Sequence, residues 1–275
     1  MIVVAVANRK GGVGKTTTAI SLAAAFAFRD KRVLLIDCDP QGNATSGVLD
    51  TDKIKVEGTL ADVLVSDGEE DGETRRSSLS DVITGTQVKN LDIVAASARL
   101  NKFERESAGS ALLRLQTRVR ARDVASRYDI VVIDTPTQMG YLLSAALAAA
   151  THVVIPVQAE TLPLSGITKM LSAINEAKAV NKKIVVLGAL CTMLDERTAI
   201  GPQVFETIKA QFPGRTFETP INRQVKLIEC PAAHQPIQLY APKSRGALQY
   251  GQVADEMLRL LNGKVKAGGK AAKKS

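Results

Sequence analysis

The sequence predicts a single α/β domain built on a mostly parallel, twisted sheet with helices on both faces. Strand and helix signals alternate along the 275 residues, which favours parallel strands joined by helical crossovers. Apolar residues make up 45% of the chain and aromatic residues only 4%, a composition typical of an aliphatic sheet buried under helices. Because no internal repeat or linker is visible, we predict one domain at residues 1–262 and a disordered basic tail at 263–275.

Apolar runs that end in turn residues predict the strands, and apolar residues at helical spacing predict the helices. The predicted strands are 2–7, 33–36, 91–95, 128–134, 152–157 and 183–190, with a further short strand before 220–230. The predicted helices are 18–28, 59–65, 103–127, 141–150, 164–180, 200–212 and 246–261. Segments rich in Gly, Pro, Asn or charge predict loops at 37–45, 66–78 and 135–140.

The distribution of charge, the cysteines and the apolar stretches indicate in which cellular compartment the protein is expected. The net charge is +8, and five of the excess positive charges are lysines in the tail, which has no acidic residue. Three cysteines lack the paired spacing of a zinc site or a disulfide framework, which favours a reducing compartment. No basic leader precedes the first strand, and the longest apolar stretch, 142–157, is short for a membrane span. We therefore expect a cytoplasmic protein with no membrane partner.

The segment 10–17, with the sequence KGGVGKTT, follows the first strand and precedes the first helix. Strand, glycine-rich turn and helix form the context of a phosphate-binding loop, in which backbone N–H groups point at the anion. Lys15 would reach the β- and γ-phosphates of a nucleotide, and the Thr16 hydroxyl would bind Mg²⁺. The alternative is a glycine turn that carries two solvated lysines. The predicted nucleotide contacts of the loop are Lys10, Gly11, Gly12, Val13, Gly14, Lys15, Thr16 and Thr17.

The strict Walker A pattern fails in this loop, because Arg9 occupies the position of its first glycine. With Lys10 as a second lysine, the loop resembles that of the deviant Walker A ATPases, the ParA/MinD group. This resemblance implies the P-loop NTPase fold, and ATP and Mg²⁺ as cofactors. It also implies a catalytic role for Lys10 beside Lys15, in which Lys10 reaches across a nucleotide-sandwich homodimer to the partner's phosphates.

Three acids follow predicted strands, and open α/β sheets bind ligands at the carboxyl ends of their strands. Asp134 ends YDIVVID and has the form of a Walker B acid, which holds Mg²⁺. Asp37 and Asp39 resemble the second acidic motif of the family, which implies that Asp37 lies near Mg²⁺ and that Asp39 activates the attacking water. The predicted metal set is therefore Thr16, Asp37 and Asp134. The alternatives are a carboxylate that caps a loop at Asp134 and an Asx-turn at Asp37 and Asp39.

The resemblance covers residues 1–261 and is closer to chromosomal-type ParA than to MinD. It extends to the segments 56–64, 134–147, 154–167, 190–198, 221–237 and 240–258. In the family, the stretch here occupied by 220–225 lies near the adenine, which implies base contacts from Pro220 and Asn222. Asn222 stands where the family usually has Pro, Gln224 where it usually has Asn, and DTPTQ at 134–138 where DCPPS is common.

Two basic residues, Arg197 and Lys226, match positions that carry non-specific DNA binding in the family. Considered alone, each would be an ordinary surface charge. Arg114, Arg118 and Arg122 recur at helical spacing in the predicted helix 103–127. We interpret these three as a solvated face, with nucleic-acid contact as the alternative.

Spacing alone indicates an Mg²⁺-dependent nucleotide hydrolase. The resemblance implies an ATPase of the cytoplasm and nucleoid that dimerises on ATP, binds DNA non-specifically and is released when a ParB-like or cargo adaptor stimulates hydrolysis. One alternative is a MinD-like membrane-associated ATPase, which would need an amphipathic C-terminal anchor, yet Val265 is the single large apolar residue after Leu261. A second alternative is a P-loop metabolic enzyme or a metal-cluster carrier, and the latter would need paired cysteines.

Overall fold

The computed structural model describes residues 1–65, 78–105, 109–160, 165–198 and 200–263. A seven-stranded sheet lies at its centre, in the order β3-β4-β2-β5-β1-β6-β7. Every strand is parallel to its neighbours except β3, which pairs antiparallel with β4. The strands are β1 Ile2–Val6, β2 Val33–Asp37, β3 Ile83–Gly85, β4 Leu91–Val94, β5 Ile130–Asp134, β6 His152–Gln158 and β7 Val185–Thr192. The predicted fold class is confirmed.

Helices alternate with these strands along most of the chain. The α-helices are α1 Lys15–Ala27, α2 Asn43–Val48, α3 Leu60–Leu64, α4 Leu100–Phe103, α5 Arg114–Val119, α6 Arg122–Ala125, α7 Tyr141–Ala149, α8 Ser165–Ala177, α9 Ile200–Gln211, α10 Lys226–Glu229, α11 Ile237–Tyr240 and α12 Arg245–Leu261. Short 3₁₀ turns occupy Leu79–Val82, Gly109–Leu113 and Cys230–Ala233. None of the helices within the described ranges is both long enough and apolar enough to span a bilayer.

Side chains of the central strands pack into helices on both faces of the sheet. Along β1, Val4 joins an apolar cluster that contains Phe26 of α1 and Tyr250 of α12. Its neighbour Val3 points to the opposite face, into a cluster that contains Leu142 of α7. Because successive side chains of a strand alternate between faces, a strand buried on both sides is a continuous apolar run. This explains why the central strands were predictable from their sequence.

The register of the sheet brings the predicted acidic residues together. Asp37 at the end of β2 pairs with Asp134 at the end of β5, and Val6 at the end of β1 pairs with the same Asp134. The glycine-rich loop follows β1 directly. The two acids and the loop therefore meet at the carboxyl edge of the sheet, where α/β proteins bind ligands.

The predicted long helix at 103–127 is wrong. The described part of this segment forms the 3₁₀ turn, α5 and α6, and the chain is extended at Ala121, with φ −58° and ψ 145°. The Arg114 guanidinium donates to the Leu64 carbonyl at 2.6 Å and lies 6.0 Å from the Phe103 ring. Tertiary contacts thus divide the segment, and Arg114 and Arg122 lie on different helices rather than on one helical face.

Smaller differences occur at the edges of the fold. Helix α2 begins at Asn43, inside the predicted loop 37–45, because Gly42 adopts a left-handed conformation, with φ 67°, and caps it. The short strand expected before 220–230 is reduced to two isolated bridges, which pair Ala189 with Thr216 and Leu194 with Asn222. The loop predicted at 66–78 and the tail at 263–275 lie outside the described residues, apart from Ser78 and Gly263.

Candidate nucleotide-binding site

The glycine-rich loop turns tightly between β1 and α1. Gly12 and Gly14 have φ values of 73° and 83°, in the left-handed region where a side chain would be strained. Gly14 caps α1, and no described side chain takes the first N–H groups of this helix. Asn8 fixes the start of the loop, since its Oδ1 accepts from the Lys10 N–H at 3.0 Å and its Nδ2 donates to the Pro156 carbonyl at 2.7 Å. The loop therefore offers an open set of N–H donors to an anion.

The ammonium of Lys15 lies within this loop, and the residue is only 7% exposed. Lys15 Nζ donates to Thr137 Oγ1 at 2.9 Å and to the Lys10 carbonyl at 3.3 Å. Burial lowers the pKa of Lys15, while the charges of Asp134 and Asp39 act in the opposite direction. A desolvated cation surrounded by open N–H donors is suited to a phosphate group.

Asp134 and Asp37 are fully buried, but their surroundings differ. Asp37 Oδ2 accepts from the Thr45 N–H and hydroxyl, each at 2.8 Å, and Asp37 Oδ1 accepts from the Asp39 N–H at 3.1 Å. Neither oxygen of Asp134 has a hydrogen-bond partner of normal geometry among the described residues. Burial raises the pKa of Asp37 to about 6. Burial and the charge of Asp37 raise the pKa of Asp134, against a smaller opposing effect of Thr16.

Two buried carboxyl oxygens without partners are the feature that a bound cation would satisfy. The oxygens of Asp134, with the Thr16 hydroxyl nearby, supply the hard ligands that Mg²⁺ prefers. Within the described ranges, no cluster of three or more His, Cys, Asp or Glu side chains could hold a metal by itself.

Asp39 lies beyond the end of β2 and is partly exposed. Its Oδ1 accepts from the Gln41 N–H at 3.0 Å, and its carbonyl accepts from the Gly42 N–H at 2.9 Å. The Asx-turn considered from the sequence is therefore present at this residue. Asp39 Oδ2 makes no hydrogen bond within the described part of the chain, so this oxygen is available to a water molecule.

The predicted cross-subunit lysine has a partner within its own chain. Lys10 Nζ forms an ion pair with Glu160, just beyond β6, and the Lys10 side chain is 46% exposed. A role at a subunit interface would require this pair to open. Sequence reasoning missed Glu160, although it lies in the segment 154–167 that carries the resemblance. The two charges lie 150 positions apart in the sequence, so no local pattern predicts their pairing.

A cavity of about 130 Å³ opens beside the loop, on the side of α12. Gly14 and Thr17 line it from the loop and α1, and Asn222 and Gln224 line it from the segment 220–225. Its largely apolar lining includes Met193, Ile221, Leu227 and Tyr250. Pro220 is not among the described residues that line it, so its base contact stays a prediction. The cavity therefore adjoins the glycine-rich loop and is bounded by the segment 220–225, which the family resemblance places near the adenine.

The two residues that depart from the family pattern in this segment are joined to α12, Asn222 through Gln249 and Gln224 through Gly246. Gln249 Oε1 accepts from the Asn222 N–H at 3.1 Å, and its Nε2 donates to Asn222 Oδ1. The Gly246 N–H donates to Gln224 Oε1 at 3.0 Å. Asn222 and Gln249 are both buried, so this amide pair fixes one wall of the cavity. Sequence reasoning did not single out Gln249, although it lies in the segment 240–258 that carries the resemblance.

Arg197 and Lys226, the predicted DNA contacts, are exposed, and each pairs with a nearby carboxylate. Arg197 meets Asp195 at 2.9 Å, and Lys226 meets Glu229 at 2.8 Å. Both ion pairs lie at the surface, so replacing either carboxylate by a DNA phosphate would cost little free energy. A groove of about 480 Å³ lies between their segments, lined partly by Arg197, Arg223, Val225 and Arg245. Sequence reasoning did not single out Arg223, which is exposed and close enough to Asp195 to help lower its pKa.

These features define a P-loop nucleotide-binding protein of the deviant Walker A type, with its phosphate loop, buried acids and base cavity at one edge of the sheet. Residues 1–186 match the family described as AAA domain. The chain is 41% identical to the sporulation initiation inhibitor protein Soj of Bacillus subtilis, over 93% of this chain and 97% of that protein. It is 36% identical to the chromosome partitioning protein ParA of Myxococcus xanthus, over 94% of this chain and 88% of that protein.

A solved structure from Mycobacterium smegmatis, described as cobyrinic acid a,c-diamide synthase with bound ATP analog and magnesium, is 30% identical. It superposes with a TM-score of 0.80 and covers 97% of this chain and 98% of that one. The chain belongs to the Soj/ParA family of partition ATPases, as its sequence motifs predicted.

Proposed function

We propose that this protein is an Mg²⁺-dependent ATPase that uses ATP binding and hydrolysis to control its attachment to DNA, and thereby segregates or positions a cargo. The observation that carries the ATPase part is the pair of buried oxygens of Asp134, which have no hydrogen bond of normal geometry among the described residues, beside the enclosed ammonium of Lys15. A negative and a positive group buried together at a glycine-rich loop are suited to a metal–phosphate ligand. The family assignment supports the partition role.

In this proposal each residue of the site has a distinct task. The loop N–H groups and Lys15 bind the β- and γ-phosphates, and Thr16, Asp37 and Asp134 hold Mg²⁺. When bound, Mg²⁺ neutralises the charge on the phosphate oxygens. Asp39 orients the attacking water through its Oδ2, which makes no hydrogen bond to the described residues. Phosphoryl transfer needs mainly positioning and charge stabilisation, which this set can supply.

We assign Lys10 to the ATP-bound dimer, in which it would contact the phosphates of the nucleotide bound to the partner subunit. Lys10 is half-exposed, and its ion pair with Glu160 lies at the surface, where such pairs contribute at most about 1 kcal/mol. The pair can therefore be exchanged at little cost when a partner subunit presents a bound triphosphate. A dimer that needs this exchange would form with ATP and dissociate after hydrolysis, which makes the nucleotide a switch.

DNA attachment is assigned to Arg197 and Lys226. A two-fold dimer would present both residues twice, and two weak sites on one rigid body bind with higher avidity. Contacts to phosphates carry no sequence information, which suits a protein that would attach to nucleoid DNA regardless of its sequence. The basic tail at 263–275 would add a component of DNA binding that does not depend on ATP. A ParB-like or cargo adaptor would then stimulate hydrolysis and release the protein.

The proposal is tested by following ATP turnover with purified protein. Phosphate release should require Mg²⁺ and should rise when DNA and a ParB-like adaptor are both present. D134N should remove the Mg²⁺-dependent rate, whereas D52N, which changes an exposed aspartate away from the site, should keep it. Turnover by D134N at the parental rate would contradict the proposed site.

A second candidate, ATP-dependent amide synthesis, is favoured by the description of the Mycobacterium smegmatis structure. The cysteines offer no support for glutamine as the nitrogen donor. Cys38, Cys191 and Cys230 are all buried, and burial raises the pKa of Cys191 to about 12 and of Cys230 to about 11, so a reactive thiolate is disfavoured. ATP turnover that rises with cobyrinic acid and ammonium but ignores DNA would favour this second function.

A further inference from the structure

Thr137 lies in the loop between β5 and α7, and its hydroxyl meets the ammonium of Lys15. Thr137 Oγ1 accepts from Lys15 Nζ at 2.9 Å, which is shorter than the 3.3 Å bond from Lys15 to the Lys10 carbonyl. These two oxygens are the only hydrogen-bond acceptors of Lys15 Nζ within the described ranges. A threonine hydroxyl therefore holds the main cationic group of the proposed phosphate site.

The fold sets Thr137 directly over the glycine-rich loop. Two residues earlier, the buried Thr135 hydroxyl donates to the Val6 carbonyl at 2.8 Å, which fixes the start of the β5–α7 loop on β1. At the glycine-rich loop, a Cβ added to Gly11 would lie 3.9 Å from Thr137 Cγ2. Thr137 itself is only partly buried, so a ligand on the loop would reach it.

The Thr137 hydroxyl differs from the Lys10 carbonyl, the other acceptor of Lys15, because a hydroxyl can donate a hydrogen bond as well as accept one. The ammonium of Lys15 can only donate, and the Lys10 carbonyl can only accept. While the site is empty, Thr137 accepts from Lys15. When a phosphate oxygen takes over Lys15, the Thr137 hydroxyl can rotate and donate its own proton to the same anion. A carbonyl or a proline at position 137 could not reverse its role in this way.

We propose that Thr137 positions Lys15 in the empty site and donates to the γ-phosphate when a triphosphate is bound. The protein would thereby distinguish a nucleoside triphosphate from a diphosphate. This inference rests on the proposed nucleotide-binding function. Lys15 would serve the β-phosphate of both nucleotides, but the γ-phosphate is present only in the triphosphate. Loss of the Thr137 hydroxyl therefore weakens triphosphate binding selectively.

A purely structural role for the hydroxyl predicts a different result. If Thr137 only held its loop in place, removing the hydroxyl would weaken triphosphate and diphosphate binding equally. The ratio of the two affinities separates the roles. Thr135 provides the matched control, because T135V deletes a hydroxyl from the same loop without touching Lys15.

The test is calorimetric titration of the full-length protein with Mg²⁺ and either a non-hydrolysable ATP analogue or ADP. Protein concentrations are kept where light scattering shows a monomer. T137V should lose about tenfold in the ratio of triphosphate to diphosphate affinity, the effect of one hydrogen bond to a charged group. T137S should restore the parental ratio. T135V should melt at a lower temperature and keep that ratio.

A parental ratio in T137V, or a T137S protein that behaves like T137V, would overturn the role of Thr137 and leave the proposed function intact. Parental protein that binds neither nucleotide would overturn both. If T137V fails to fold, T137A replaces it, since an alanine also removes the hydroxyl and adds no new bulk at the loop. The same ratio then decides the question.

Discussion

Asp134 is the buried group whose replacement should reveal most about the site. The carboxylate is buried next to the carboxyl of Asp37, and its oxygens make no hydrogen bond of normal geometry to the part of the chain that the structure describes. Without Mg²⁺, a deprotonated Asp134 destabilises the native state, because the desolvation cost of its buried charge exceeds what Thr16 and the charge of Lys15 offset. D134N keeps the shape and removes the charge. We therefore expect the metal-free D134N protein to be more stable than the parent at pH 7.

The magnitude follows from the pKa shifts. The native pKa of Asp37 is about 6, compared with an ordinary value of 3.8. Each unit of pKa difference corresponds to about 1.4 kcal/mol, so Asp37 alone costs roughly 3 kcal/mol once it is ionised. The native state binds the proton more tightly than the unfolded state, so stability falls as pH rises from about 4 to 6. The pKa of Asp134 is raised as well, which extends the loss of stability to higher pH.

D134N removes the contribution of Asp134, and we expect a gain of about 1–3 kcal/mol in the free energy of unfolding at pH 7. The gain should shrink as pH approaches 4, where Asp134 is protonated in the parent. Urea unfolding in EDTA between pH 4 and pH 7.5 measures this. D52N, at an exposed position, is the control and should change stability little at any pH.

Mg²⁺ with nucleotide should invert this order. A ligand that binds only the native state stabilises it by mass action, so the parent should gain stability and D134N should gain much less. The reasoning would be refuted if metal-free D134N were equally or less stable than the parent at pH 7. It would also be refuted if both proteins gained the same stability from Mg²⁺ with nucleotide.

Four further substitutions test the separate roles of Lys15, Asp39 and Lys10. K15A should lose at least about 100-fold in ATP affinity, because it removes the main phosphate counter-charge, and calorimetry showing unchanged affinity would exclude Lys15 from the site. D39A should bind Mg²⁺–ATP and dimerise normally but hydrolyse at least about 100-fold more slowly, and a parental rate of phosphate release would refute the role of Asp39. K10A should bind ATP yet fail to dimerise in light scattering, whereas E160Q, which frees Lys10 from its ion pair, should dimerise at least as well as the parent. Normal dimerisation of K10A with normal turnover would contradict the cross-subunit role.

Much of the fold could be predicted because its strongest signals are local. The central strands are continuous apolar runs, and β1, β2 and β5 lie within two residues of their predicted ends. The glycine-rich loop was recognisable because strand, turn and helix are contiguous. Asp37 and Asp134 could be expected to meet because parallel strands end at the same edge of a sheet, and the register pairs these residues.

The errors occur where distant contacts decide the local structure. The helix predicted at 103–127 is divided, with Arg114 held by the carbonyl of Leu64 and the ring of Phe103. Strand β3 has only three residues, Ile83–Gly85, which is too short for an alternating pattern to show. Its existence depends on pairing with β4.

Side-chain partners within the site were the least predictable feature. The contacts of Lys10 with Glu160 and of Lys15 with Thr137 join residues 150 and 122 positions apart. Only the order of strands in the sheet brings them together. The departure from the family pattern at DTPTQ was visible in the sequence, but its consequence for Lys15 needed the geometry of the β5–α7 loop.

The central claim is that ATP controls non-specific DNA binding through Arg197 and Lys226. Fluorescence anisotropy with a random-sequence duplex tests it over a range of salt, with Mg²⁺–ATP, with Mg²⁺–ADP and without nucleotide. The R197A/K226A double variant is compared with K53A/K55A, which removes two other exposed, ion-paired lysines. All proteins are measured with and without residues 264–275, because the lysine-rich tail could bind DNA by itself.

Each phosphate contact contributes about −0.9 to the slope of log affinity against log salt. Loss of two contacts from each subunit of a dimer should make this slope less negative by about 3 to 4. We predict tight binding only with Mg²⁺–ATP, a steep slope for the parent and for K53A/K55A, and a flattened slope for R197A/K226A with dimerisation intact. An unchanged affinity and slope for the tailless R197A/K226A protein, or equal DNA binding with ATP and ADP, would contradict the account.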